Sequence, residues 1–258
     1  MKNIIIVTGA SSGLGREFAV QLSRTRNADE IWLLARRKDR LAQTALLIES
    51  EGRMKAVTHS IDLSGRTGVS AFKKLLDADI AVDALVNNAG FGTYGTFADT
   101  PLERELEMID LNVFALTGLC GECIPRMKPG ALIINVASLA AFIPLGNFAV
   151  YAATKAYVLS FSTALSAELK DRGIFVSSLC PGPVDTEFAQ VASNGARTKV
   201  VDGKSPEAVV KSCLRDISRG KRISVMALKW KFKAFMSRCV GRYFFARYTY
   251  IHDKRPSQ

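Results

Sequence analysis

The chain alternates short apolar runs with longer stretches in which apolar residues recur at helical spacing. The apolar runs lack the polar alternation of a half-exposed strand, so we expect strands that are buried on both faces. Such strands, separated by helices, predict a parallel sheet with helices packed on both sides. The predicted strands cover residues 4–7, 30–35, 55–59, 84–86, 131–136 and 175–179.

The predicted helices include residues 14–24, 38–51 and 151–171. Thr100-Pro101-Leu102-Glu103 has the sequence of a capping box at the start of another helix, and Ser205-Pro206-Glu207 starts one more. No internal repeat, linker or low-complexity segment interrupts the pattern. We therefore predict one α/β domain with a doubly wound, Rossmann-like parallel sheet over residues 1–218, followed by a basic amphipathic helical extension over residues 219–258.

The charge of the chain is concentrated in that extension. The 258 residues carry a net charge of +11. Residues 1–218 hold 24 Lys and Arg against 23 Asp and Glu, whereas residues 219–258 hold 11 against 1. This distribution indicates a nearly neutral body with a basic tail, and it argues against a nucleic-acid-binding protein, whose positive charge would cover the domain.

The basic tail also carries an apolar stripe at helical spacing, with Gly241 as an expected kink. One interpretation, which the commonness of such stripes favours, is that the stripe packs on the sheet domain or on a second subunit. The other is that residues 226–251 make peripheral contact with an anionic membrane surface. The stripe consists of Leu228, Phe232, Phe235, Met236, Cys239, Val240, Tyr243, Phe244, Tyr248 and Ile251, and the basic residues mostly beside it are Lys229, Lys233, Arg238 and Arg242.

Cysteine usage and the N-terminal sequence indicate a cytoplasmic protein. The chain has five cysteines, and its first apolar run breaks at Thr8-Gly9, too early for a signal peptide. Cys120 and Cys123 have the spacing of a metal or redox pair but lack a second pair, so we predict no metal site. Since no run of eighteen apolar residues occurs, no membrane-spanning helix is expected.

Glycine-rich or polar segments follow each of the six predicted strands. They begin at Gly9, Arg36, Asp62, Asn88, Ser138 and Pro181. In doubly wound sheets, ligands bind outside the carboxyl ends of the strands. The sequence therefore predicts a single ligand site at this edge of the sheet.

Two motifs suggest what this site does. The glycine-rich segment of residues 8–15 lies between a strand and a helix, where a nucleotide pyrophosphate would bind. Tyr151 and Lys155 are four residues apart and share a helix face, so the ammonium is expected to lower the pKa of the phenol. A proton donor beside a dinucleotide is typical of redox chemistry between carbonyls and alcohols.

Together these segments resemble the short-chain dehydrogenase/reductase family over residues 3–215. The resemblance rests on T-G-x-x-x-G-x-G at residues 8–15, N-N-A-G at residues 87–90, P-G-x-V-x-T at residues 181–186, and the four residues Asn112, Ser138, Tyr151 and Lys155. It implies that Tyr151 is the general acid/base and that Ser138 holds the substrate oxygen. It further implies that Lys155 binds the nicotinamide ribose, that Asn112 seats a water next to Lys155, and that the protein is a homo-oligomer.

The resemblance also implies a set of cofactor-binding residues. These are Gly9, Ser11, Ser12, Gly13, Leu14, Gly15, Asp62, Leu63, Asn88, Ala89, Gly90, Tyr151, Lys155, Pro181, Gly182, Val184 and Thr186. Cofactor choice depends on Ala35, which replaces the carboxylate that would accept hydrogen bonds from the ribose of NAD. Because Arg36 and Arg37 follow and are suited to a 2′-phosphate, we expect NADP(H) to be preferred over NAD(H). The alternative is that both arginines belong to the solvated start of a helix.

The substrate is expected to be a small carbonyl or alcohol compound. Leu139, Phe142, Ile143, Leu145 and Phe148 favour a hydrophobic substrate, although they could equally serve the core or a subunit interface. Residues 187–204 are predicted to form a flexible lid. The leading interpretation is an NADP-dependent carbonyl reductase or alcohol dehydrogenase. The alternative is an NADP(H)-binding sensor or scaffold with vestigial catalysis, and an epimerase or dehydratase is less favoured.

Overall fold

A seven-stranded parallel sheet forms the centre of the computed structural model, which describes residues 1–52, 54–197, 200, 202–237, 239–253 and 255. The strand order is β3-β2-β1-β4-β5-β6-β7, so the direction of winding reverses between β1 and β4. This reversal creates the crevice in which ligands of such sheets bind. The strands are β1 (Lys2–Thr8), β2 (Glu30–Ala35), β3 (Lys55–Ser60), β4 (Ile80–Asn87), β5 (Leu132–Val136), β6 (Phe175–Leu179) and β7 (Ile223–Ser224).

Ten α-helices surround the sheet and connect its strands. They are α1 (Gly13–Thr25), α2 (Lys38–Glu49), α3 (Gly65–Lys73), α4 (Leu102–Ile109), α5 (Leu116–Cys123), α6 (Ala149–Glu168), α7 (Phe188–Ala192), α8 (Pro206–Ser218), α9 (Leu228–Met236) and α10 (Arg242–His252) within the described residues. A π-helical segment, Asp110–Ala115, joins α4 to α5. Short 3-10 turns cover Ile124–Arg126 and Leu139–Ala141.

The core lies on both faces of the sheet, as the unbroken apolar strands predict. Along β1, Ile4 and Ile6 point to one face, where they pack with side chains of α3, α5 and α6. Ile5 and Val7 point to the other face, where they pack with side chains of α1, α2 and α8. All four side chains are fully buried. The predicted doubly wound α/β fold is therefore confirmed.

Several local features differ from the prediction. The capping box at Thr100 is wrong, because α4 begins at Leu102 after Pro101 and the Thr100 hydroxyl instead donates to the carbonyl oxygen of Thr96 at 2.7 Å. The second capping signal is confirmed, since Ser205 caps α8 by accepting from the amide of Ala208. The sequence patterns did not indicate α3, α7 or β7, which are short. The last of these lies in the segment assigned to the extension, and it completes the sheet by pairing with β6.

The continuous helix from Leu102 to Arg126 is long and apolar enough to cross a membrane by length and composition alone, with 39% of its most apolar window buried. This helix holds no uninterrupted run of eighteen apolar residues, because polar residues are scattered along it. Leu116, Leu119 and Cys123 of this helix pack into the core on one face of the sheet.

The basic tail forms two helices instead of one. Gly241 is the N-cap of α10, so the helical path breaks there as expected for a kink. Most of the predicted apolar stripe is exposed, so in this chain it does not pack on the sheet domain. The side chains that face the protein are instead Trp230 of α9 and Thr249 of α10, both buried. Arg238 lies outside the described residues.

Candidate active site

The glycine-rich loop after β1 brings the backbone close to its neighbours. Gly9 and Gly13 have φ angles of +66° and +53°, a region that favours glycine. A Cβ atom on Gly15 would lie 2.2 Å from the carbonyl oxygen of Gly9. These positions leave no room for side chains, which keeps the start of α1 open for the pyrophosphate of a nucleotide.

The segment after β4 is fastened to the same loop by hydrogen bonds. The Thr8 hydroxyl accepts from the amides of Asn88 and Ala89, both at 2.9 Å. The side-chain amide of Asn88 donates to the carbonyl oxygen of Thr8 at 3.0 Å. Because β1 and β4 flank the reversal of the sheet, these bonds hold the two sides of the crevice at a fixed separation.

The two arginines after β2 take different positions. Arg36 is exposed and lies 3.9 Å from the carboxylate of Asp62. Arg37 donates to the hydroxyls of Ser11 and Ser12, at 3.2 and 2.8 Å, and to the carboxylate of Glu187 at 2.7 Å. The guanidinium of Arg37 lowers the pKa of Glu187. Arg37 thus ties the glycine-rich loop to the start of α7, whereas the charge of Arg36 stays largely uncovered.

Lys155 and Asn112 are buried together under Gly90. The ammonium of Lys155 donates to the carbonyl oxygen of Val136 at 2.8 Å. Asn112 accepts from the amide of Phe91 at 3.1 Å and donates to its carbonyl oxygen at 2.9 Å. A Cβ on Gly90 would lie 2.6 Å from the Asn112 side-chain oxygen. Asn112 occupies the π-helical segment, and such segments often mark functional sites.

Tyr151 lies between two aromatic rings. Phe148 stacks on it with ring centroids 4.1 Å apart, and Phe188 of α7 lies at 5.4 Å. Burial raises the pKa of Tyr151 well above its ordinary value, while the hydrogen bond with Ser138 and the charge of Arg255 lower it. The predicted net lowering of the pKa of Tyr151 is wrong, because burial dominates. The ammonium lies 5.7 Å from the ring centroid and is bonded elsewhere, and burial outweighs it.

The segments after β5 and β6 complete the edge. The amide of Leu139, next to Ser138, donates to the carbonyl oxygen of Pro181 at 2.9 Å. A Cβ on Gly182 would lie 2.3 Å from Cε2 of Trp230, so the indole of α9 fills the space that a side chain would need. The loop that carries Val184 and Thr186 is therefore backed by a residue beyond the family motif.

A single cavity of about 640 Å³ joins these segments. Its wall includes every predicted site residue except Gly15, which lies behind the loop, and Asn112, which lies behind Gly90. A nucleotide together with a substrate fits a cavity of this size. The glycine cradle and the enclosed volume are both what a dinucleotide cofactor requires.

The predicted lid is more ordered than expected. Residues 188–192 form α7, and the amide of Tyr94 donates to the carbonyl oxygen of Ala192 at 2.7 Å. Val184 bridges to Lys204, which closes the base of the segment. Thr198, Lys199 and Val201 of the predicted lid lie outside the described residues.

Sequence reasoning missed the contribution of the C-terminus to this cavity. Lys233, Thr249, Asp253 and Arg255 line it. The guanidinium of Arg255 lies 4.9 Å from the ring centroid of Phe148 and donates to the carbonyl oxygen of Gly146 at 3.1 Å. No local motif marks these residues, because their position depends on how α9 and α10 fold back on the body.

The C-x-x-C pair lies in the core. Cys120 and Cys123 are both buried on α5, and burial raises the pKa of each thiol, that of Cys120 to about 12. In the part of the chain that the structure describes, no three His, Cys, Asp or Glu side chains form a group that could hold a metal.

Comparison with known proteins identifies chains that are related to this one. A family model described as short chain dehydrogenase matches residues 3–197. The chain is 33% identical over 208 residues to a protein named Probable oxidoreductase EphD from Mycobacterium tuberculosis, covering 78% of this chain and 35% of that protein. It is 34% identical to a Very-long-chain 3-oxoacyl-CoA reductase from Laccaria bicolor, covering 82% of this chain and 62% of that protein. The chain thus spans about a third of the first relative and less than two thirds of the second.

Among solved structures, the fold is similar to a short-chain dehydrogenase from Sphingobium yanoikuyae in complex with NADPH. The TM-score is 0.76 at 27% sequence identity, and the match covers 92% of this chain and 93% of that one.

Proposed function

The chain belongs to the short chain dehydrogenase family, and on that premise we propose that it transfers a hydride between NADP(H) and a hydrophobic carbonyl or alcohol substrate. The observation that carries this proposal is the convergence of Ser138, Tyr151 and Lys155 on the cavity that the glycine-rich loop also lines. When bound, the nicotinamide cofactor supplies or accepts the hydride. The chain supplies the proton and positions the substrate oxygen.

In the proposed mechanism, the Tyr151 hydroxyl gives its proton to the substrate oxygen during reduction and takes it back during oxidation. Ser138 donates a hydrogen bond to the same oxygen and holds it next to the phenol. Lys155 contributes a buried positive charge near the ring, which stabilises the phenolate after the proton has left. Asn112 anchors Phe91 and thereby the segment that covers Lys155.

We propose NADP(H) as the preferred cofactor because Arg36 extends from the end of β2, where Ala35 brings no carboxylate. Arg37, which donates to the Ser12 hydroxyl at 2.8 Å, and Ser12 itself are proposed as further donors for a 2′-phosphate.

The proposed substrate is an aldehyde or ketone with a sizeable apolar group. Phe142, Ile143, Leu145, Phe188 and Val191 line the cavity beyond Tyr151. One relative is named for a very-long-chain 3-oxoacyl-CoA substrate, which agrees with an apolar pocket. We further propose that the protein is a homo-oligomer. We also propose that it is cytoplasmic, because all five cysteines are free thiols, as is usual in a reducing compartment. We also propose that residues 226–251 are the part of the chain that contacts a membrane surface.

The test is NADPH oxidation with a graded set of aldehydes, ketones and 3-oxoacyl compounds, using wild type and Tyr151→Phe. Wild type should turn over the more apolar members. Tyr151→Phe removes the proton but little volume, so turnover should fall by about two to four orders of magnitude. NADPH binding, followed by its fluorescence, should persist. Near-normal turnover in the variant would contradict the assigned proton donor.

The sensor or scaffold alternative predicts a different result for wild type. It would bind NADPH tightly yet turn over every compound of the set slowly, and Tyr151→Phe would then change little.

A further inference from the structure

The outward faces of α9 and α10 are unusually apolar for a protein surface. Among the described residues, eighteen large apolar side chains are exposed, and eight of them belong to these two helices, which span only twenty residues. Leu228, Phe232 and Phe235 are spaced by four and three residues and share one face of α9. Phe244, Tyr248 and Ile251 repeat the spacing on α10. Such a concentration of exposed apolar groups marks an interaction surface.

The inward faces of the same helices hold them firmly on the body. Trp230 is 2% exposed and packs on Gly182. Asn147 donates to the carbonyl oxygens of Thr249, Tyr250 and Asp253, at 3.4, 3.0 and 3.3 Å. The hydroxyl of Thr249 accepts from the amide of Gly146 at 2.9 Å. These inward contacts fix the orientation of α9 and α10 on the body. The exposed apolar side chains of both helices therefore point away from it.

Charge identifies the occupant of this surface. Lys229, Lys231 and Lys233 are exposed on α9, and Arg242 and Arg247 are exposed on α10. The tail from residue 219 onward holds 11 basic residues and a single acidic one. Aromatic and aliphatic side chains interleaved with Lys and Arg match the interface of a bilayer that carries anionic lipids. A second copy that presented this same face would bring the same positive charge and be repelled.

The position of the surface relates it to the substrate. Lys233 and Ala234 of α9 and Thr249 of α10 line the cavity that contains Tyr151. We propose that the outward faces of α9 and α10 dock on an anionic lipid surface, so that the mouth of the cavity opens at the bilayer and takes lipophilic carbonyl compounds from it. The substrate part rests on the proposed function, whereas the docking part does not.

Vesicle sedimentation tests the docking part with the full-length protein. Deleting the tail would expose the core around Gly182, so surface substitutions are used instead. Wild type should sediment with vesicles of phosphatidylcholine and phosphatidylglycerol, should bind pure phosphatidylcholine at least tenfold more weakly, and should be released by high salt. The variant Phe232→Ser/Tyr243→Ser/Phe244→Ser should lose at least tenfold in affinity, and so should Lys231→Gln/Arg242→Gln/Arg247→Gln. The matched control Leu46→Ser/Leu47→Ser removes two exposed leucines from α2 and should bind as wild type does.

Activity assays test the coupling to the substrate. Both sets of tail variants should reduce a short water-soluble ketone as fast as wild type does, but should lose at least tenfold in rate on a long-chain ketone dissolved in the anionic vesicles. Absence of vesicle binding by wild type would overturn the proposal. A change of oligomeric state in the aromatic variant with unchanged vesicle binding would also overturn it and assign the face to a second copy. If the vesicles bind but no ketone is reduced, docking stands and the proposed function fails.

Discussion

At Tyr151, burial and the neighbouring polar groups act on the phenol in opposite directions. The stacked ring of Phe148 and the tilted ring of Phe188 exclude water and disfavour the phenolate, whereas Ser138 and Arg255 favour it. The balance keeps the proton on the phenol, which suits a group that donates a proton during carbonyl reduction.

Lys155 allows a stability prediction whose sign follows from its burial. Burial lowers its pKa from 10.5 to about 8. Between these pH values the unfolded chain holds a proton that the folded chain has lost, so stability rises with pH in this range. Below pH 8 the folded chain carries the full free-energy cost of the buried ammonium. Above pH 10.5 the amine is neutral in both the folded and the unfolded chain, so this cost is gone. Relative to Lys155→Met, wild type should therefore gain about 3 kcal/mol across this window.

The measurement is urea unfolding of both proteins without cofactor at several pH values from 7 to 10. Groups that do not interact with Lys155 contribute equally in both proteins, so their effect cancels in the difference between the two free energies of unfolding. A difference that stays constant with pH would show that Lys155 is not held at a lowered pKa.

Arg36 carries a prediction about cofactor choice. Arg36→Ala should reduce the preference for NADPH over NADH roughly ten- to a hundredfold, because charge-assisted bonds to a phosphate contribute about 1.5–3 kcal/mol. The dissociation constants of both cofactors, measured by fluorescence, provide the ratio. Arg40→Ala removes the same charge from the same basic stretch and should change this ratio much less. Equal losses for NADPH and NADH in Arg36→Ala would give Arg36 a structural role.

At the scale of elements, α9 and the loop of residues 181–186 are predicted to be energetically coupled through Gly182 and Trp230. Gly182→Ala forces the indole out of its place and should cost about 1–3 kcal/mol. Adding Trp230→Leu makes room for the new methyl group, so the double variant should lose less than the sum of the single variants. Urea unfolding of the four proteins measures this coupling.

Gly121→Ala serves as the control for that cycle. A Cβ at this position on α5 meets nothing within 4 Å, so the substitution should be neutral or stabilising. Strictly additive losses for Gly182→Ala and Trp230→Leu would show that the two residues do not press on each other in solution.

For the whole molecule, we expect self-association through its two long helices, the continuous helix Leu102–Arg126 and α6. Leu102, Leu106 and Ile109 of α4 and Tyr157 of α6 are exposed, and α4 packs beside α6. A two-fold pairing would bury this patch against its own copy. Wild type should behave as a dimer or larger species in size-exclusion chromatography with light scattering.

Leu106→Arg/Ile109→Arg places like charges across such a pairing and should at least halve the mass. Leu46→Arg, at an exposed leucine of α2, should leave the mass unchanged. If the wild-type protein is a monomer, or if the double variant keeps its mass, the long helices do not form the interface.

The sequence by itself determined the parallel sheet and the edge at which the site lies. A strand that is buried on both faces has an unbroken apolar run, which is a local signal in the sequence. Ligands bind at the carboxyl ends of such strands, so the motifs that follow the strands all lie at one edge of the sheet. The glycine loop could likewise be predicted, because its conformation depends on the absence of Cβ atoms in a few adjacent residues. The roles of Ser138, Tyr151 and Lys155 came from the resemblance to a family pattern, and they stay predictions.

Tertiary structure alone decided the features that depend on distant residues. Arg37 bonds to Glu187, which lies 150 positions further along the chain, and the pKa of Tyr151 follows from rings and charges supplied by several elements. The tail shows this most clearly. Helical periodicity identifies an apolar face, but it does not show whether that face packs against protein or against a lipid surface. Here Trp230 fills the space beside Gly182, and the side-chain amide of Asn147 donates to the carbonyl oxygen of Tyr250 on α10, so shape and hydrogen bonding turn the more apolar faces outward.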